Sequence, residues 1–205
     1  MNHRSLVCLF LLGTLFCGCA SVPAPKFYRI PLDLSAINSA PLGAPSESIR
    51  VAPFRAISPF RQDSIVTYCE DSPLIRFSGD CLWESSPSDM VKRKLAEAFR
   101  ACGLFTRVES QPGRPQADYI IRGQILRFNG LETSKGSYGE VGLAVEFLSQ
   151  EDHEILWSTI VSVREKAQTD SPESVALAVS EALRRCILHI IQHVNHATAS
   201  RRPIH

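Results

Sequence analysis

The sequence predicts an α+β domain, a two-layer sandwich of a mainly antiparallel sheet with two amphipathic helices on one face. Three observations predict it. Most of the chain beyond the first two dozen of its 205 residues falls into short segments that alternate apolar and polar residues, the period of a half-buried strand. Two stretches instead place apolar residues three and four apart, between capping signals. The strand segments come in runs with the helices set apart between them, which is the order of an α+β domain and not of a regularly alternating α/β one.

Taken in order, Phe27-Tyr28-Arg29-Ile30-Pro31-Leu32 is a first strand, and Pro31 assigns it to a sheet edge. Residues 35–48 carry Pro41, Gly43 and Pro45 and read as a connection. Residues 48–54 are a second strand. Residues 64–69 and 74–77 flank the turn-rich Glu70-Asp71-Ser72-Pro73 and form a hairpin. A helix follows. Ser86 is its N-cap, Pro87 suits the first helical position, and Asp89 completes a capping-box arrangement. Val91, Leu95, Ala98, Phe99 and Cys102 share one face, and Gly103 supplies the stop.

Strands resume at residues 105–108 and 118–128, with a bulge expected at Gly123. Residues 138–148 and 154–164 form a further antiparallel pair. A final helix starts at Asp170-Ser171-Pro172-Glu173, with Ala176, Val179, Leu183, Cys186, Ile187, Ile190 and Val194 along its apolar face. The domain is expected over residues 27–197, with a polar tail from 198 to 205.

The N-terminus has its own logic. His3 and Arg4 precede an apolar run over residues 6–16 that closes on Phe16-Cys17-Gly18-Cys19-Ala20. A membrane-spanning helix needs about 20 apolar residues, and this run is about half that. The order of a basic region, a short apolar core and small residues is that of a secretory signal, residues 1–18, whose cleavage site carries a lipid acceptor. Gly18 and Cys17 leave Cys19 as the acceptor, although Phe16 stands where an aliphatic residue is usual. Cys17 is the poorer acceptor because Phe16 would then precede it. An ordinary cleaved signal or an uncleaved anchor are the rival readings. Lipidation at Cys19 would make residues 19–26 a short tether, and Ala20 in place of Asp matches an outer-membrane destination in enterobacteria-like sorting.

Lys and Arg number 22 against 21 Asp and Glu, so the formal charge of +1 provides no basic footprint for nucleic acid. Cys69, Cys81, Cys102 and Cys186 allow three complete pairings, which the sequence does not choose between. Cys69 and Cys81 flank one hairpin and are the foremost candidates for a disulfide in an exported protein. Cys102 and Cys186 each lie on an apolar helix face and come second. His189, His193 and His196 fall on one helical face, but no second ligand motif accompanies them. Histidine is also ordinary at the flank of an apolar stripe, so no metal site is assigned. No nucleophile–base set and no phosphate-cradling loop appears, so no catalytic residue, cofactor or enzyme activity is expected.

The succession of motifs carries a resemblance. After the lipobox come Phe27-Tyr28-Arg29-Ile30, then Ile49-Arg50-Val51-Ala52-Pro53-Phe54, then Ser64-Ile65-Val66-Thr67-Tyr68. Trp83 precedes Pro87-Ser88-Asp89-Met90-Val91, the helix ends in Cys102-Gly103-Leu104-Phe105, and Ala117-Asp118-Tyr119-Ile120-Ile121-Arg122-Gly123 opens the next strand. This order resembles the ABC-type transport auxiliary lipoproteins, the group that includes paraquat-inducible protein C, over nearly all of the mature chain. The resemblance implies a lipoprotein facing the periplasm beside an ABC permease, an ATPase and a mammalian-cell-entry (MCE) domain protein, in a system that moves lipids or other hydrophobic compounds. A homo-oligomeric collar is compatible with that role. Only Cys19 carries over as a functional residue. Tyr68-Cys69 stands where the family often has Tyr-Arg, which with Cys81 suggests a staple particular to this lineage. Two other readings stand beside it: a lipoprotein that itself holds a hydrophobic ligand between sheet and helices, and an unrelated outer-membrane assembly lipoprotein.

Overall fold

The computed structural model describes residues 24–31, 47–111 and 116–200. Among them eight strands form one sheet that carries two helices. In chain order these are β1 (Lys26–Tyr28), β2 (Ser48–Ala56), β3 (Ser64–Cys69), β4 (Ser72–Trp83), α1 (Pro87–Cys102), β5 (Arg107–Glu109), β6 (Tyr119–Thr133), β7 (Gly136–Ser149), β8 (Ile155–Lys166) and α2 (Pro172–Ala199).

The spine is β6. Along one edge it pairs antiparallel with β7 over its whole length, and β7 in turn pairs with β8. Its other edge is shared. The first half, Tyr119 to Ile125, pairs parallel with β2, and the second half, Asn129 to Glu132, pairs parallel with β3. β2 and β3 therefore run end to end along β6 like one interrupted strand, and the sheet forks there. One branch adds β5 beside β2; the other adds β4 beside β3, and β1 beside β4.

The fold is mixed α+β, but four of the seven strand pairings are parallel, so a mainly antiparallel sheet is not what the structure holds. The physical reason is that an alternating pattern records which face a residue takes and says nothing of strand direction. The expected bulge at Gly123 is also displaced. The β6–β7 register shifts between Ile125 and Arg127, and β2 shifts against β6 between Val51 and Phe54. Gly123 itself lies under the Phe54 ring, where a Cβ would meet Phe54 Cε1 at 2.6 Å.

Both helices form where their caps predict. Asp89 N donates to Ser86 Oγ at 3.2 Å, Ser86 Oγ donates to Asp89 Oδ2 at 2.8 Å, and Gly103 ends α1 at φ 66°. Ser174 N donates to Ser171 Oγ at 3.2 Å at the start of α2. The α2 helix continues through Thr198, whose hydroxyl donates to Val194 O at 3.0 Å.

α1 packs on β2 and β5, α2 packs on β7 and β8, and both reach β6. Val91, Leu95, Phe99, Val179, Leu183, Ile187 and Ile190 join Ile49, Ile121, Val141 and Leu143 in one buried core. Each such side chain contributes about 1.5–3 kcal/mol by leaving water, which makes this core the main determinant of the fold.

Candidate functional site

Cys19, the leader and residues 19–23 of the tether lie outside the described residues. Lys26, seven positions after Cys19, begins β1 at the free end of the β1–β4–β3 branch. Seven residues reach at most about 25 Å, so whatever holds Cys19 holds this branch nearby.

That branch is a hairpin arm. β3 and β4 turn through Glu70 and Asp71, and β4 runs on to Trp83. β1 covers its outer edge only at Cys81 to Trp83, so among the described residues no strand lies along residues 72–80. Pro73 suits such an edge. The exposed stretch is apolar: Leu74 is 59%, Ile75 40% and Phe77 49% exposed, with Phe27 of β1 at 65%. Apolar side chains on an open edge present a pairing surface that a soluble monomer would normally blunt with charge. Arg76, the cation between Ile75 and Phe77, is paired at the surface with Glu132 of β6 and also donates to Cys69 Sγ at 3.0 Å. A shallow hollow of about 210 Å³, bordered by Phe77, Leu131, Pro172 and Val175, separates the arm from the start of α2.

The arm also decides the cysteine question. All four described cysteines are free. Cys69 faces Ser72 at the tip of the hairpin, whereas Cys81 lies beside Leu82, the partner of Ser64 at the far end of β3. Four to five strand residues separate the two, about 13 Å or more, against the roughly 7 Å limit between Cα atoms of a disulfide. In this structure the register therefore holds Cys69 and Cys81, the suggested staple, apart. Cys102 hydrogen-bonds Phe99 O and Cys186 hydrogen-bonds Val141 O.

The layer between sheet and helices is filled. Trp83 meets Phe128 edge-on at 5.3 Å, and Phe99, Phe105, Tyr119 and Phe147 form a continuous chain of ring contacts. This is a packed core where a protein holding a hydrophobic ligand would be hollow. A surface hollow of about 740 Å³ lies on the sheet's other face, with Arg55, Gln124, Ile160 and the Arg122–Glu146 ion pair on its walls.

Titratable groups are tied into structure. Asp118 Oδ2 accepts from Ser48 Oγ at 2.7 Å and from Ser48 N at 2.6 Å. Those bonds hold its carboxyl below the usual range, against a smaller opposing effect of burial. Burial pushes the Cys186 thiol up to about 12 and raises Cys102 as well. Glu140 lies between Arg164 Nε at 2.7 Å and Asn129 Nδ2 at 3.1 Å. His189 and His193 come together, with ring centroids 4.3 Å apart, and His193 stacks on Trp157 at 5.2 Å. Among the described residues no group of three or more His, Cys, Asp or Glu is placed to share a metal ion.

The molecule is thus an α+β domain with a dense core and, among the described residues, an open apolar strand edge next to β1. The family comparison is specific: the model of the ABC-type transport auxiliary lipoprotein component matches residues 31–190, and the chain belongs to that family. It is a lipoprotein family of the cell envelope that accompanies ABC-type transporters. Solved structures agree on the fold. The protein XCC0632 from Xanthomonas campestris superposes with a TM-score of 0.71 at 17% identity, covering 85% of this chain and 98% of that one. An uncharacterized protein gives a TM-score of 0.64 at 11% identity, covering 84% and 99%. No curated protein matches the sequence.

Proposed function

We propose that the chain is a non-enzymatic subunit of an MCE-type ABC transport system that moves lipids or other hydrophobic compounds across the periplasm. It is anchored in the outer membrane by lipid on Cys19, and it docks the transporter's periplasmic assembly there. Membership of the auxiliary lipoprotein family supports the transport role. The observation that carries the docking role is the open β4 edge with Leu74, Ile75 and Phe77 exposed. An unpaired edge offers a row of N–H and C=O groups that a partner strand satisfies, so addition of a strand from the MCE protein is the binding mode it fits. The anchor sets where that edge is presented. Each buried methylene contributes about 0.8 kcal/mol, and a multiply acylated cysteine holds its protein far more firmly than a single chain does. The filled core supports a role in positioning partners, with cargo carried elsewhere.

A photo-crosslinking residue at position 74, in intact membranes, should capture the MCE-domain protein. Capture that is no better there than at Arg55, on the sheet's other branch, would overturn the docking assignment. Cys19→Ala should yield protein without acyl mass that high salt washes from membranes; retention of that variant would count against the tether.

A homo-oligomeric collar is a second reading, favoured by β8. Its outer edge is unpaired among the described residues, and it exposes Ile155 at 51% and Ile160 at 66%. A β8 edge against the β4 edge of the next copy would be a head-to-tail contact able to close a ring. Sedimentation of the purified chain tests it, and a monomer at micromolar concentration removes it.

A further inference from the structure

We propose that His189 and His193 form a two-imidazole site for a borderline divalent cation, of the class Ni²⁺, Cu²⁺ or Zn²⁺. They stand four residues apart on α2, so successive turns bring them to one face. Their ring centroids are 4.3 Å apart. Two imidazole nitrogens at about 2.0–2.1 Å from one ion place the ring centroids about 4.5 Å apart at a square angle and about 5.2 Å apart at a tetrahedral one. The pair needs a few tenths of an ångström of adjustment to chelate at a square angle and just under an ångström at a tetrahedral one.

Two further features prepare it. Trp157 of β8 stacks on His193 at 5.2 Å and 12° between planes, which fixes that ring before any ion arrives. His189 is held toward its neutral form, first by burial and then by His193, so a lone pair is available near neutral pH. Neutral imidazole is the ligand that zinc, copper and nickel favour. No third described His, Cys, Asp or Glu completes a cluster, so the remaining coordination positions fall to water. The site is therefore an exchangeable surface site, open to a further ligand from a partner protein.

The test is a Ni²⁺ titration of the full chain, followed by Trp157 emission and by calorimetry. Trp83, 1% exposed in the core, provides a constant background. Saturable quenching at one ion per chain is expected. His189→Gln leaves the Trp157–His193 stack in place and should weaken binding by about tenfold or more. His196→Gln should titrate like the unaltered chain, and acid strong enough to protonate the imidazoles should expel the ion. Quenching that never saturates, or a His189→Gln chain that titrates like the unaltered one, overturns the proposal.

Discussion

Gly130 of β6 and Gly139 of β7 are cross-strand partners, and together they form a notch that receives the first turns of α2. A Cβ on Gly139 would lie 2.2 Å from Val179 N, whereas one on Gly130 would lie 2.8 Å from the Val175 side chain. The first clash is with helix backbone, the second with a methyl group. Gly139→Ala should therefore lift α2 off the sheet and cost about 1–3 kcal/mol or more. Gly130→Ala should cost less, because Val175 can turn. Urea denaturation of the two variants checks the order.

Ser48 and Asp118 tie the start of β2 to the start of β6. The folded pKa of Asp118 is depressed, so its contribution to stability is fully present above the unfolded value, about 3.9, and is lost as pH falls through the lower folded value. Asp118→Asn should lower the thermal midpoint at pH 7. The gap between the two proteins should narrow below about pH 4. A gap that stays constant across acid pH would show that the clasp does not titrate.

Cysteine reactivity should be selective. Cys69 is half-buried at the tip of the arm, while Cys81, Cys102 and Cys186 are buried. With the Cys186 thiol near 12, almost none is thiolate at pH 8. Brief iodoacetamide treatment of the folded protein should modify Cys69 and spare Cys81, Cys102 and Cys186, which react after unfolding. Mass spectrometry of the digested protein checks this.

The apolar residues of the arm contribute little to the stability of the isolated chain. Leu74→Arg and Phe77→Arg should change the unfolding free energy by no more than about 0.5 kcal/mol each, since both side chains are roughly half exposed or more. Their effect should appear in crosslinking to partners. A large loss of stability would show that the arm belongs to the core.

Both helices were legible because their signals are local: Ser86 and Gly103 bracket α1, and Ser171 opens α2 with an apolar stripe behind it. The pairing of β2 and β3 with β6 was not, since nothing in an alternating pattern records a parallel neighbour some sixty residues away. Nothing local sets Gly130 and Gly139 apart from other strand glycines, since the helix that requires them lies about forty residues further on. Cys69 and Cys81 looked like neighbours because only eleven residues separate them, but those residues are largely the extended β4 that keeps them apart. The histidine spacing was visible in the sequence. What no spacing reveals is Trp157 arriving from another strand to stack on His193.

The fork at β6 has a mechanical consequence. Through the sheet, tension on the chain ahead of Lys26 enters by β1, crosses to β4 and β3, and reaches the spine at residues 129–132. The β2–β5 branch and α1 lie off that line. β1 runs parallel to β4 over three residue pairs, so a pull along the strands loads those hydrogen bonds in shear and together, not one at a time. Under load this short junction is the weakest link in the path: it would release first, lengthening the chain before Ile30 while the core behind it stays intact. A pull on the chain ahead of Lys26 would thus meet a short sheared junction before it meets the core.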